Sequence, residues 1–309
     1  MLGKEQYQKD AKVLRTAMAG WGTDEEPIIA ITAFRSNADR QEILKEYKTM
    51  YGRDGLEDLD DELGGDLGKC IQAMFLTPVD YDCKELYKAM KGGGTDEDTL
   101  IEIIGSRSNS HLKKIIERYQ VLYKANLEEE VASETSGDVK RLLISTLQCN
   151  RGENQNLDIN ALNQDLQELY EAGEGQWGTD ESAFNKIFSI RSPAELRYLN
   201  NKYAEVAGKS LFSVIDSEFG GDLAVLYKTI LLAQANPPEY FAERIRKACV
   251  GGGTNDNILI RVLVTRDEID LPQIDAVYKR CYNTTLSQEI SSETSGDYKK
   301  LLLALLASK

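Results

Sequence analysis

The chain has 309 residues, 41% hydrophobic and 28% charged, a composition that can bury a sizeable core and is unlike a disordered chain. Its formal net charge of −14 repels nucleic acid and anionic lipid alike, so an anionic partner needs a cation in between. Five scattered cysteines without CxxC spacing (Cys70, Cys83, Cys149, Cys249, Cys281) and one histidine, His111, argue against a disulfide framework, a histidine-based zinc cluster and an enzyme site. His111 reads as an exposed residue near a helix start. The opening segment has no apolar signal region and the chain no apolar run long enough to span a bilayer, so a cytoplasmic protein is expected.

Taken from the N-terminus, a first helix should run into a glycine–threonine turn, Gly20-Trp-Gly-Thr23. That turn recurs as Gly92-Gly-Gly-Thr95, Gln176-Trp-Gly-Thr179 and Gly251-Gly-Gly-Thr254. Counting from Gly22, Gly94, Gly178 and Gly253, an arginine follows thirteen residues on in every copy (Arg35, Arg107, Arg191, Arg266). A tyrosine follows twenty-five on (Tyr47, Tyr119, Tyr203, Tyr278), and a glutamate forty on (Glu62, Glu134, Glu218, Glu293). The chain is four copies of one unit. Within a unit, the turn threonine is expected to cap a second helix, as in Thr23-Asp-Glu-Glu26. Ser36, Ser108, Ser192 and Asp267 are candidate caps of a third helix, and a fourth precedes the glutamate.

A fifth helix opens at Gly-Asp, with Asp66, Asp138, Asp222 and Asp297 as expected caps. Its apolar columns, such as Cys70/Leu142/Leu226/Leu301 and Phe75/Leu147/Leu231/Leu306, make a broad buried stripe. Five helices per unit predict an all-α protein. Its segments are a tail over 1–4, repeats over 5–76 and 77–148, a linker over 149–160, and repeats over 161–233 and 234–309. The polar stretch Asn150-Arg-Gly-Glu-Asn-Gln-Asn156 marks the linker.

Taken once, the glycine turn needs no function: glycine supplies positive φ where two helices meet. It does not account for a glutamate forty residues away in every copy, placed at the negative pole of a helix dipole. A bound cation removes that conflict. Calcium takes six to eight oxygens in irregular geometry, so turn carbonyls and one carboxylate fill half a shell and leave the rest to a lipid phosphate. The acidic run Asp54–Asp66 has the composition of an EF-hand but not its register, and no P-loop spacing is present.

Met90-Lys-Gly-Gly-Gly-Thr95 with Glu134, Gln176-Trp-Gly-Thr-Asp-Glu181, Glu134-Thr-Ser-Gly-Asp138, Glu268-Ile-Asp-Leu271 and Ser295-Gly-Asp-Tyr-Lys-Lys300 closely resemble the annexin motif. The match runs from about residue 5 to 307. The resemblance implies a curved disc of four five-helix repeats that binds acidic phospholipid reversibly through Ca2+, as a peripheral membrane protein in membrane organisation or trafficking. By position, the ligands would be Met18, Gly20 and Gly22 with Glu62, and Met90, Gly92 and Gly94 with Glu134. In the third repeat, where the family's loop is reorganised, they would be Gly173, Gln176 and Gly178 with Glu218. In the fourth they would be Cys249, Gly251 and Gly253 with Glu293. Lys91 and Trp177 would contact the membrane, Trp177 being exposed as calcium binds, and Trp21 would either contact the membrane or pack between helices.

The family's lysine between Met and Gly survives only as Lys91, its counterparts being Ala19, Gly175 and Val250. The family's central polar passage would fall on Asp82 with Arg107 and Glu102 with Arg261, joined by Glu85; ordinary salt bridging between repeats is the preferred reading of these charges. Self-association on membranes is compatible with this picture, and an N-terminal-helix partner is not expected. The alternatives are a helical repeat scaffold for protein partners, or ion conduction through the passage.

Overall fold

The computed structural model describes residues 2–20, 22–174 and 178–308, which form twenty α-helices and, among these residues, no strand. The helices fall into four sets of five. The first set is α1 (Lys4–Ala17), α2 (Glu25–Phe34), α3 (Asn37–Tyr51), α4 (Gly55–Glu62) and α5 (Gly65–Phe75). The second is α6 (Pro78–Met90), α7 (Glu97–Ser106), α8 (Asn109–Tyr123), α9 (Leu127–Glu134) and α10 (Gly137–Leu147). The third is α11 (Ile159–Ala172), α12 (Glu181–Ile190), α13 (Pro193–Ala207), α14 (Leu211–Glu218) and α15 (Gly221–Ala235). The fourth is α16 (Pro237–Cys249), α17 (Asp256–Arg266), α18 (Leu271–Tyr282), α19 (Leu286–Glu293) and α20 (Gly296–Ala307).

Two compact units result, one of Met1–Tyr81 with Phe241–Lys309, the other Asp82–Tyr240. In the first, α2 packs on α20 and α5 on α17; in the second, α7 packs on α15 and α10 on α12. Each unit is therefore a pair of repeats sharing a core. The fifth helix of each repeat supplies much of that core: Cys70, Leu142, Leu226 and Leu301 are fully buried, with Phe75, Leu147 and Leu231 beside them. Leu306 ends the stripe half-buried.

The capping scheme read from the sequence needs correction. Ser36, Ser108 and Ser192 do cap α3, α8 and α13, each accepting the N–H three residues on. Asp267 does not cap α18; it is buried at the end of α17, and Asp270 occupies the cap position. The second helices are headed by Asp24, Asp96, Asp180 and Asn255, one residue after each turn threonine. In the fifth helices the cap positions belong to Gly64, Ser136, Gly220 and Ser295, which places the aspartates in the first turn, where they oppose the positive helix pole without capping.

The arginine column finds its purpose inside each repeat. Arg35 pairs with Asp10 at 2.6 Å, Arg107 with Asp82 at 2.9 Å and Arg191 with Asp165 at 2.6 Å. Each pair ties the first helix of a repeat to the start of the third. In the fourth repeat Phe241 stands where the others have aspartate; Arg266 lies 4.3 Å from its ring centroid and pairs instead with Asp270 at 2.7 Å. The Asp82–Arg107 pair assigned to a central passage is thus one copy of a feature internal to the repeats. His111 lies in the first turn of α8, as expected, but it is half-buried rather than exposed and has a partner that the sequence did not reveal, Asp82 Oδ2 at 2.9 Å from Nε2. Against the cost of burial, Arg107 and His111 hold the Asp82 carboxyl well below the usual range.

Candidate metal centres

Each glycine turn is closed by one backbone hydrogen bond across its mouth. The N–H of Asp24 donates to the Ala17 carbonyl at 2.9 Å, that of Asp96 to Ala89 at 2.9 Å, and that of Asn255 to Ala248 at 2.8 Å. In the third repeat Asp180 donates to Ala172 at 2.8 Å, a span one residue longer. The turns depend on glycine: Gly92 and Gly94 sit at φ 119° and 118°, a region that L side chains avoid, with open space around each. Gly20, Gly22, Gly92, Gly94, Gly178, Gly251 and Gly253 are exposed, while Met18, Met90, Gly173 and Cys249 are buried where the preceding helix ends.

The turn threonine binds the distant glutamate. Thr95 Oγ1 donates to Glu134 Oε2 at 2.8 Å, and Thr179, Thr23 and Thr254 reach Glu218, Glu62 and Glu293 at 3.1, 3.2 and 3.4 Å. Residues thirty-nine apart are thereby held side by side four times over. Each glutamate is the last residue of its helix, and each is at least partly exposed.

Among the described residues, the carbonyls of Met18, Gly20, Gly22, Met90, Gly92, Gly94, Cys249, Gly251 and Gly253 accept no hydrogen bond in the network of turns and caps. Such carbonyls beside an exposed carboxylate are a hard oxygen donor set, the kind that calcium takes and soft metals do not. At Cys249 only the carbonyl fits this set, since burial pushes the thiol up to about 12. Trp21, Gln176 and Trp177, assigned to a ligand or to membrane contact, lie outside the described residues.

Lys91 is in the second turn, as expected, but its ammonium is engaged within the protein: it lies 3.3 Å from Glu130 Oε1 and 5.1 Å from the Tyr87 ring centroid. Of the residues placed on a passage, Glu85 is buried and pairs with Lys88 at 3.1 Å. Glu102 and Arg261 are buried in different units. The acids one helical turn before the glutamate in the first, second and fourth repeats, Asp58, Glu130 and Glu289, were not singled out from the sequence, although they share one offset from the turn glycine.

The annexin family model matches residues 9–74, 81–146, 164–230 and 240–305. Annexin A11 of Oryctolagus cuniculus is 46% identical over 297 residues, 96% of this chain and 59% of its own length. The chain thus spans about three fifths of that relative. The structure of annexin III superposes with a TM-score of 0.94 at 38% identity, covering 97% of this chain and 93% of the other. A calcium-bound annexin (Sm)1 superposes with a TM-score of 0.84 at 31% identity, covering 97% and 90%.

Proposed function

This chain belongs to the annexin family, and from that premise we propose that it binds acidic phospholipid membranes reversibly, with Ca2+ bridging the glycine turns to lipid phosphate. The observation that carries the reading is the fourfold contact between turn threonine and distant glutamate, 2.8–3.4 Å, which sets a carboxylate beside exposed turn carbonyls. The residues that would hold the ion are the turn carbonyls with Glu62, Glu134, Glu218 and Glu293. Bound there, the ion supplies positive charge and open coordination positions for phosphate oxygens. The protein's part is to fix the donors and keep them exposed.

Net charge supports the same reading, since a chain of −14 approaches an anionic surface only through a cation. A calcium-bound relative of the same fold supports the choice of ion. No helix among the described residues is long and apolar enough to cross a membrane, so the attachment we propose is peripheral. The test is sedimentation with phosphatidylserine vesicles in calcium and in chelator, for the native protein and for a variant with all four glutamates changed to glutamine. Binding should need calcium, and the variant should need far more of it. Equal sedimentation in calcium and chelator, or unchanged calcium demand in the variant, overturns the proposal.

A further inference from the structure

Thirty-six residues after the turn glycine, and one helical turn before the glutamate, the four repeats carry Asp58, Glu130, Val214 and Glu289. In the first and second repeats this acid is held from two sides, and in the fourth it pairs with an arginine. Asp58 accepts from the Tyr47 hydroxyl at 2.6 Å and from Arg53 Nε at 2.8 Å. Glu289 accepts from Arg246 at 2.9 Å, whose guanidinium also lies 5.3 Å from the Tyr282 ring centroid. Glu130 accepts from the Tyr119 hydroxyl through one oxygen and faces Lys91 with the other, while Tyr87, under the lysine, stacks on Tyr123 at 4.0 Å. The third repeat lacks the acid, and there the hydroxyl of the wholly buried Tyr203 has no partner among the described residues.

We propose that Lys91 is a positioning residue for the second-repeat cation site, latching the turn to the helix of Glu134 through Glu130, and is not a lipid contact. The inference rests on the calcium reading given above. The geometry is that of a tie across the site. Lys91 lies between Met90 and Gly92, two of the candidate turn ligands. Glu130 is on the same face of α9 as Glu134, four residues and about 6 Å along the axis. Fixing Glu130 therefore fixes the start of the glutamate side chain, and Thr95 closes the other edge of the site at 2.8 Å. A lysine that must reach into a headgroup layer would have to give up both the carboxylate and the ring. Held where it is, it removes conformational freedom from the donors before an ion arrives, and preorganisation of that kind raises affinity without adding a ligand.

The test uses a background in which Glu62, Glu218 and Glu293 are glutamine, so that only the second site remains, and compares Lys91→Met, Lys91→Arg and Glu130→Gln. Calcium affinity is titrated without lipid, and sedimentation with phosphatidylserine vesicles is measured at saturating calcium. Amide hydrogen exchange over the turn is followed in metal-free protein. Lys91→Met and Glu130→Gln should each weaken calcium binding by about two- to fivefold, the size that a partly exposed pair supports. Both should speed exchange of the turn, Lys91→Arg should restore both readouts, and vesicle binding at saturating calcium should stay unchanged. Unchanged calcium affinity and exchange in Lys91→Met overturn the proposal, and weaker vesicle binding at saturating calcium would then assign Lys91 to the lipid. If the parent binds no calcium, the calcium reading falls, and the metal-free exchange still decides whether the latch exists.

Discussion

Two tyrosines of the same repeat column should respond in opposite ways to loss of their hydroxyl. Tyr47 and Tyr203 are both wholly buried, and burial pushes both phenols up to about 12, helped by Asp58 for Tyr47 and by Glu174 for Tyr203. Tyr47 donates to a carboxylate at 2.6 Å; the Tyr203 hydroxyl has no partner among the described residues. A hydrogen bond to a charged group contributes about 1.5–3 kcal/mol. Arg53 remains bound to Asp58 when the phenol is removed, so Tyr47→Phe should cost near the lower end, about 1.5 kcal/mol. In Tyr203→Phe the lost group is a desolvated hydroxyl without compensation, whose burial costs about 1–3 kcal/mol. That variant should be neutral or more stable by about 1 kcal/mol. Urea unfolding followed by circular dichroism, with midpoint and slope compared to the parent, measures both. Equal destabilisation by the two substitutions would refute the argument, because it would mean that ring packing, common to both, outweighs the partner of the hydroxyl.

Asp39 supplies a pH test. Burial raises its carboxyl, but hydrogen bonds from Ser36, Tyr7 and the Leu2 N–H outweigh burial and bring it to about 2. The unfolded value is about 3.9, so the stabilisation is complete above roughly pH 5 and is lost as pH falls through about 2. Asp39→Asn should lower the thermal midpoint at pH 6 and leave it nearly unchanged near pH 2, and a pH-independent difference would contradict the assignment. For Trp177, a Trp21→Phe background leaves one indole to report. Its emission should shift to the red with calcium and back to the blue with phosphatidylserine vesicles, whereas blue emission shielded from aqueous quencher throughout would make it a core residue.

Much of the fold was legible because repetition multiplies weak signals. The glycine turn alone says little, yet the same offset to a glutamate in four copies pointed to a glutamate at the turn, where the partner it meets is Thr95, at 2.8 Å, a residue read from the sequence as a helix cap. The helix starts were misjudged by one residue because threonine and the following aspartate both have capping chemistry, and only the three-dimensional neighbour decides between them. Thr95 is drawn away by Glu134, and Asp96 takes the cap, accepting from the Thr99 N–H at 3.0 Å. The role of Lys91 was hidden for a related reason. Sequence placed it at an exposed turn, where a cation suits an anionic surface, but Glu130 lies thirty-nine residues away and comes close only when α9 packs. His111 gained its Asp82 partner in the same manner, across twenty-nine residues.

The exchange of aspartate for Phe241 alters more than one ion pair. In the other three repeats the arginine closes a chain segment of about 25 residues, and the ordering of such a loop is a one-time entropic cost borne mainly by the first long-range contact. Arg266 and Asp270 are only four residues apart, so their pairing closes no such loop. At this one position the first helix of the fourth repeat meets the arginine through the face of the Phe241 ring, a contact of weaker directionality than the fixed geometry of a carboxylate–guanidinium fork.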